Sequence, residues 1–173
     1  LISCTGTPAG VKPVEGFDKE RYTGKWYEIQ RLDHRFERHL TNVTAEYRAR
    51  KDGKIGVINR GFDTEECEWK EIEGSATFRK GPHIASLKVV FFWPFAGGYH
   101  VIKLDDDYEW ALVSGPSRSY LWILARQPHL DEQVRNDLIK KAKQLGYPVE
   151  ELIRVDHSEP DCLQSPTSTS AGN

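Results

Sequence analysis

Methionine is absent from this 173-residue chain, and cysteine occurs only three times. So few cysteines exclude a small fold stapled by many disulfides, and an odd number leaves one over in any pairing. Long hydrophobic runs are missing too. The longest apolar stretch, residues 89–96, is broken by Pro94 and falls well short of the roughly 20 residues of a membrane-spanning helix. Positive charge is not in excess. The net charge is −2, without a basic stripe or interleaved aromatic array, which argues against a nucleic-acid partner. Catalytic signatures are scarce. Ser114-Gly115-Pro116-Ser117 lacks G-x-S-x-G and falls between two adjacent strand patterns, so it is no nucleophile elbow. The glycines form no phosphate loop. The six histidines lack zinc-type spacing and read as solvated. No metal, no cofactor and no enzymatic activity are expected.

What is present is aromatic. Five Trp, seven Tyr and seven Phe suit a β protein lined by rigid side chains. Hydrophobic residues at 38% and charged residues at 29% indicate a globular chain. Its length fits one domain with a core that needs no staples.

Residues 25–34 read as a first strand, and the charged stretch from Asp33 to Leu40 as the loop after it. Val43, Ala45, Tyr47 and Ala49 alternate with polar residues, the pattern of a half-buried strand. Lys51-Asp52-Gly53-Lys54 makes a hairpin turn. Ile55, Val57, Asn59 and Gly61 share one face of the next strand, and Ile72, Gly74, Ala76 and Phe78 that of a fourth, with Gly74 suited to a bend. Leu87, Val89 and Phe91 mark a fifth. The parity of the sixth, residues 99–105, is open between Tyr99/Val101 and Ile102/Leu104. Residues 110–114 and 120–126 complete an antiparallel meander of eight strands. Eight is the number that closes into an up-and-down barrel wide enough for one small ligand. The period then changes. Pro128 and an Asp131 N-cap open a helix with Val134, Leu138, Ala142 and Leu145 on one face, ended by Gly146 and packed on the barrel wall. Residues 152–155 form a short last strand. The Ser/Thr/Pro-rich tail reads as disordered beyond Cys162.

Gly24-x-Trp26 opens the first strand with a large indole, a plug for one end of something hollow. Arg126, closing the eighth strand, is its distant partner. A guanidinium over an indole is worth about 0.5–2 kcal/mol when partly desolvated. If Trp26 marks the closed end, loops 33–39, 63–68 and 93–98 rim the mouth. Loop 33–39 has two readings: a solvated loop, or one whose Arg35, Arg38 or His39 meets a ligand's phosphate or carboxylate. Trp93 and Phe95 have three: dipping into a membrane surface, packing on a second copy as a homodimer, or folding over the mouth.

Gly24-x-Trp26-Tyr27-Glu28, Asp107-Tyr108 with Ala111-Leu112-Val113, and Leu121-Trp122-Ile123-Leu124-Ala125-Arg126-x-Pro128 resemble the three motif regions of the lipocalins. The resemblance covers about residues 15–157 and implies an all-β, eight-stranded barrel with a C-terminal helix. Residues 32–38, Phe91-Phe92-x-Pro94-Phe95-x-Gly97-Gly98-Tyr99 and Tyr120-Leu121-Trp122 resemble in particular the bacterial outer-membrane lipocalins, relatives of apolipoprotein D and the plant temperature-induced lipocalins. Leu1-Ile2-Ser3-Cys4 resembles a lipobox, which implies lipidation of Cys4; the alternative is an unpaired surface thiol. Thr5 in place of Asp points to the outer membrane, facing the periplasm. On this reading residues 1–14 are a signal remnant and membrane tether, 15–157 the barrel and helix, and 158–173 a flexible tail. Cys67 and Cys162 stand where other lipocalins bridge a loop to the tail; two free thiols are the alternative. Lys103 departs from the family pattern, where a small or apolar residue is expected.

Parity directs Val43, Ala45, Tyr47, Val57, Asn59, Ile72, Leu87, Val89, Phe91, Val113, Tyr120, Trp122 and Leu124 inward. Such a barrel is either filled or hollow, and small residues at 45, 49, 61, 74, 76 and 111 leave room. Each buried methylene is worth about 0.8 kcal/mol, so roughly ten would support micromolar binding of an acyl chain. Tyr47, Asn59 and Tyr120 are candidates to orient a polar head. The resulting expectation is a membrane-anchored lipocalin that stores or transports a fatty acid such as palmitate, or a lysophospholipid. The competing expectations are a lipid-modifying enzyme on the same scaffold and a structural envelope protein.

Overall fold

Nine strands carry the alternation read along the chain: β1 (Gly24–Leu32), β2 (Leu40–Ala49), β3 (Ile55–Asp63), β4 (Glu68–Phe78), β5 (Ser86–Phe92), β6 (Phe95–Leu104), β7 (Trp110–Ser114), β8 (Leu121–Ala125) and β9 (Leu152–Arg154). The structure, a computed structural model, describes residues 5–92 and 95–164, the side chains of Phe92 and Phe95 excepted. The expectations for Cys4, Trp93 and the Phe95 side chain therefore lie outside the described residues. Each of the first seven strands pairs antiparallel with the next, and β1 pairs with both β8 and β2, so the sheet closes. β9 extends it along the far half of β1, from Gln30 to Leu32.

Closure divides the apolar residues into two cores. The inner one gathers Trp26, Tyr47, Val57, Leu87, Val101, Val113 and Leu124. The outer one lies beneath a C-terminal helix (Glu132–Gln144), where Leu138 and Ala142 cover Ile29, Ile102, Leu112, Leu121 and Ile123. Asp131 caps this helix by accepting from Gln133 N and Val134 N, and Gly146, at φ +89°, ends it. A single turn, Lys19–Tyr22, precedes β1, with Asp18 as its cap.

Two bulges decide which residues face inward. In β6 the register shifts between Val101 and Lys103. Tyr99 and Val101 therefore face in before it and Leu104 after it, while Ile102 joins the outer core. Both competing parities are partly right, and Ile102, which has no register partner, is the extra residue at the shift. In β1 the register shifts between Glu28 and Gln30. An extra residue in one strand re-aims the side chains beyond it, so Leu32 joins Ile29 in the outer core.

From Thr5 onward, the segment expected as a tether packs against the wall. Val11 is buried in the outer core, Val14 N donates to Val101 O at 2.8 Å and Ala85 N to Val14 O at 2.9 Å. Arg118 Nη2 donates to Ala9 O at 2.6 Å. Backbone groups lying on a barrel need partners, and this segment finds them in the strands beneath. The C-terminal segment is fixed likewise. Val155 N donates to Ile29 O at 3.0 Å, Asn42 N to Asp156 O at 2.7 Å, and Asn42 Nδ2 to Ser158 O at 2.8 Å. Cys67 and Cys162 form a disulfide with Cα atoms 6.3 Å apart.

Candidate functional site: a barrel sealed at one end

Trp26 is fully buried, and the Arg126 guanidinium carbon lies 3.9 Å from its ring centroid. Arg126 donates to the carbonyls of Arg21, Thr23, Lys25 and Tyr108, and Trp26 Nε1 donates to Tyr22 O at 2.9 Å. One cation thus satisfies four carbonyls and ties both ends of the barrel meander together. Gly24 explains its own identity: its φ is +101°, and a Cβ there would stand 3.2 Å from Arg126 Nη1.

Above this seal the interior is packed. Val57, Leu87, Val89 and Val113 are buried in the inner core with Tyr47. The space left among Phe17, Tyr22, Tyr47, Leu87 and Tyr99 is about 10 Å³, room for one water at most. Higher up, exposure returns on the inward face. Ala45, Phe91 and Trp122 are half-buried against the core, Asn59 and Tyr120 are also half-buried, and Ile72, in register with Asn59, is 41% exposed. Val43 is buried opposite Gly61, whose Cβ would stand 3.3 Å from Val43 Cγ2. The inward face is packed next to the seal and less buried farther from it.

Three tyrosine hydroxyls cross the interior. Tyr47 donates to Tyr99 at 2.9 Å, and Tyr22 and Tyr99 lie 2.6 Å apart. Burial raises all three well above the ordinary tyrosine range, so all stay protonated.

Beside them sits a charged cluster of which a parity count reaches only part. Arg31 is almost fully buried, donating from Nη1 to Glu28 Oε1 at 3.2 Å and from Nη2 to the carbonyl of Glu37 at 2.9 Å. Glu37 reaches in from the loop after β1. Its Oε1 accepts from Trp122 Nε1 at 3.1 Å and pairs with His34 Nε2 at 3.2 Å. Burial and then the neighbouring Glu37 carboxylate push Glu28 well above the ordinary glutamate range, with Arg31 opposing. Burial and the adjacent carboxylate thus both favour the neutral form of Glu28. Burial works against Glu37 as well, yet the hydrogen bonds from His34 and Glu28 and the charges of His34 and Arg31 hold it below that range.

These side chains correct several expectations. Arg38 is occupied by Asp33 at 3.2 Å, His39 by Glu65 at 3.6 Å, and Arg35 lies over the Phe36 ring. Arg31, not those three, is the cation inside the mouth. The histidines are not all solvated. His100 faces outward, fully buried, with Nδ1 2.9 Å from Ser86 Oγ, and burial pushes it down to about 4. His157 Nε2 lies 2.7 Å from Glu28 O. A period-two count from Trp26 does reach Glu28. Arg31 is hidden because the bulge shifts the count by one. His34 and Glu37 are hidden because a loop has no period. No cluster of metal-binding side chains occurs among the described residues.

The fold and the Trp–Arg seal define a class: single-domain antiparallel barrels of eight strands, closed at one end and open at the other. The chain belongs to the lipocalin family, matching the lipocalin-like domain over residues 17–157. It is 49% identical over 156 residues to the outer membrane lipoprotein Blc of Vibrio cholerae, covering 90% of this chain and 91% of that protein. It is 36% identical to temperature-induced lipocalin-1 of Arabidopsis thaliana, covering 84% and 82%. Among solved structures, insecticyanin from the tobacco hornworm superposes with a TM-score of 0.70 at 21% identity, covering 91% of this chain and 89% of that one. That likeness concerns the fold alone.

Proposed function

We propose that this protein is a non-enzymatic carrier of a small amphiphilic lipid, a fatty acid or a lysophospholipid, held with its chain in the upper barrel. Membership in a family of binders of small hydrophobic ligands supports the class. One observation carries the reading: along the inward face Ile72 is exposed and Phe91 and Trp122 are only half-buried, while the floor beneath them is sealed. Apolar surface left open inside a closed wall is most stable when a ligand covers it. Attachment to the outer membrane on its periplasmic side, through a lipidated Cys4, follows from the lipobox-like start and from relatives named as outer membrane lipoproteins. With Thr5 onward packed on the wall, that anchor would hold the barrel close to the bilayer. Tryptophan fluorescence tests the carrier reading, because Trp122 lies in the chamber wall. Titration with palmitate or a lysophospholipid should change its emission saturably in the micromolar range; a flat titration contradicts the proposal.

A further inference from the structure

Resting on the carrier reading, the side chains at the mouth carry one step more. Glu37 sits among donors that it does not complete. Trp122 Nε1 and His34 Nε2 serve its Oε1. Arg31 Nε lies 3.7 Å from its Oε2, too far for a hydrogen bond, and both atoms are buried without a direct partner. His34 Nδ1 is likewise buried and unpartnered. The Arg31 side chain is only 3% exposed, that of Glu37 18%. Arg31 belongs to the wall, and Glu37 belongs to a loop with an edge on solvent. When the Glu37 side chain swings out, the buried guanidinium keeps Glu28 at 3.2 Å and Asp33, at the solvent edge, at 3.7 Å, and the indole N–H and the imidazole beside it lose the oxygen they share.

We propose that Arg31, His34 and Trp122 form an oxyanion site for the carboxylate or phosphate head of an acyl ligand, and that Glu37 fills this site as an internal stand-in until the ligand displaces it. Loss of the Glu37 carboxylate reduces the negative charge around a buried arginine and strips two donors of their acceptor, which is unfavourable unless another anion replaces it. Departure of Glu37 and arrival of an anion are therefore coupled, and a neutral head gains nothing from the exchange. The tail enters the apolar chamber, and the head stays at the mouth.

Calorimetric titration of the full chain and of Glu37→Gln with dodecanoate, dodecyl phosphate and dodecanol tests this. Gln keeps the shape and removes the competing charge. The affinity for at least one anion should rise about tenfold relative to dodecanol, a change of about 1.4 kcal/mol. Adding Trp122→Phe, which keeps a ring and removes the donor, should return part of that gain. A gain for dodecanoate alone identifies a fatty-acid site, and a gain for dodecyl phosphate alone a phospholipid site; either supports the proposal. An unchanged or lowered preference for anions, with dodecanol still bound, overturns the stand-in role. Glu37→Ala, run in parallel, guards against a local effect of the Gln amide, and the same flat preference there overturns the proposal equally. Failure of every probe to bind the unmodified chain and the variants overturns the carrier reading, and this site with it.

Discussion

Replacing Cys67 and Cys162 by serine removes a cross-link between residues separated by 95 positions. In the chain-entropy account, closing a loop of that length costs the unfolded ensemble about 4.7 kcal/mol, which sets the upper bound on the loss. The folded state should change little. The tail keeps its backbone bonds from Asn42 to Asp156 and from Val155 to Ile29, and the Asn42 side chain still reaches Ser158. The stabilisation thus acts mainly through the unfolded chain. For a domain of this size the melting temperature should fall by about 10–20 °C at the upper bound. Urea unfolding of the oxidised protein and of the double serine variant measures the difference directly. It also separates mechanisms. An uncross-linked unfolded chain exposes more surface, so the dependence of stability on urea should steepen in the variant. A loss below about 1 kcal/mol with an unchanged slope would refute the reasoning, because the bridge would then be neither constraining the unfolded chain nor holding the folded one.

Four other outcomes follow from the same structure. Arg126→Lys keeps a charge but cannot serve four carbonyls, so it should cost about 2–4 kcal/mol in urea unfolding. Gly74→Ala places a Cβ 2.6 Å from Val90 O and 2.8 Å from Phe91 Cδ1, and overpacking against backbone should cost about 1–3 kcal/mol, read in the melting temperature. Glu28 binds its proton more tightly folded than unfolded. Its stabilising contribution is thus full below the unfolded value of about 4.3 and is lost as pH rises towards the raised folded value. Glu28→Gln keeps the shape and removes the titrating group, so its stability relative to the unmodified chain should improve with rising pH; a constant difference would contradict the assignment. His100 has the opposite sign, being depressed to about 4. Its contribution is present above the unfolded value of about 6.5 and is lost as pH falls through that window, and His100→Asn should flatten the slope of unfolding free energy there.

The barrel was legible in the sequence because a half-buried strand writes its own period. Val43-x-Ala45-x-Tyr47 and Leu87-x-Val89-x-Phe91 need no further context, and Trp26 with Arg126 marks the closed end. The helix was legible for the same reason, through Asp131, Leu138, Ala142 and Gly146. What escaped lies where the period breaks. The bulge after Glu28 carries Arg31 inward, and the loop beyond it returns Glu37 to the interior. A charged loop looks solvated until the strand before it supplies a buried counter-charge. The N-terminal segment escaped for a related reason: Gly and Pro residues suggest slack, whereas Val11 and Val14 anchor it to the wall.

The central claim is that the upper barrel exists to hold a lipid. Its most direct test is to purify the full chain from a bacterial envelope, extract it with organic solvent, and identify bound lipid by mass spectrometry beside the intact protein mass. The account predicts about one acyl lipid per chain, a fatty acid or a lysophospholipid, together with a lipid-modified Cys4 in the intact mass. A chain recovered without acyl lipid, and unable to take one up when it is supplied, would contradict it.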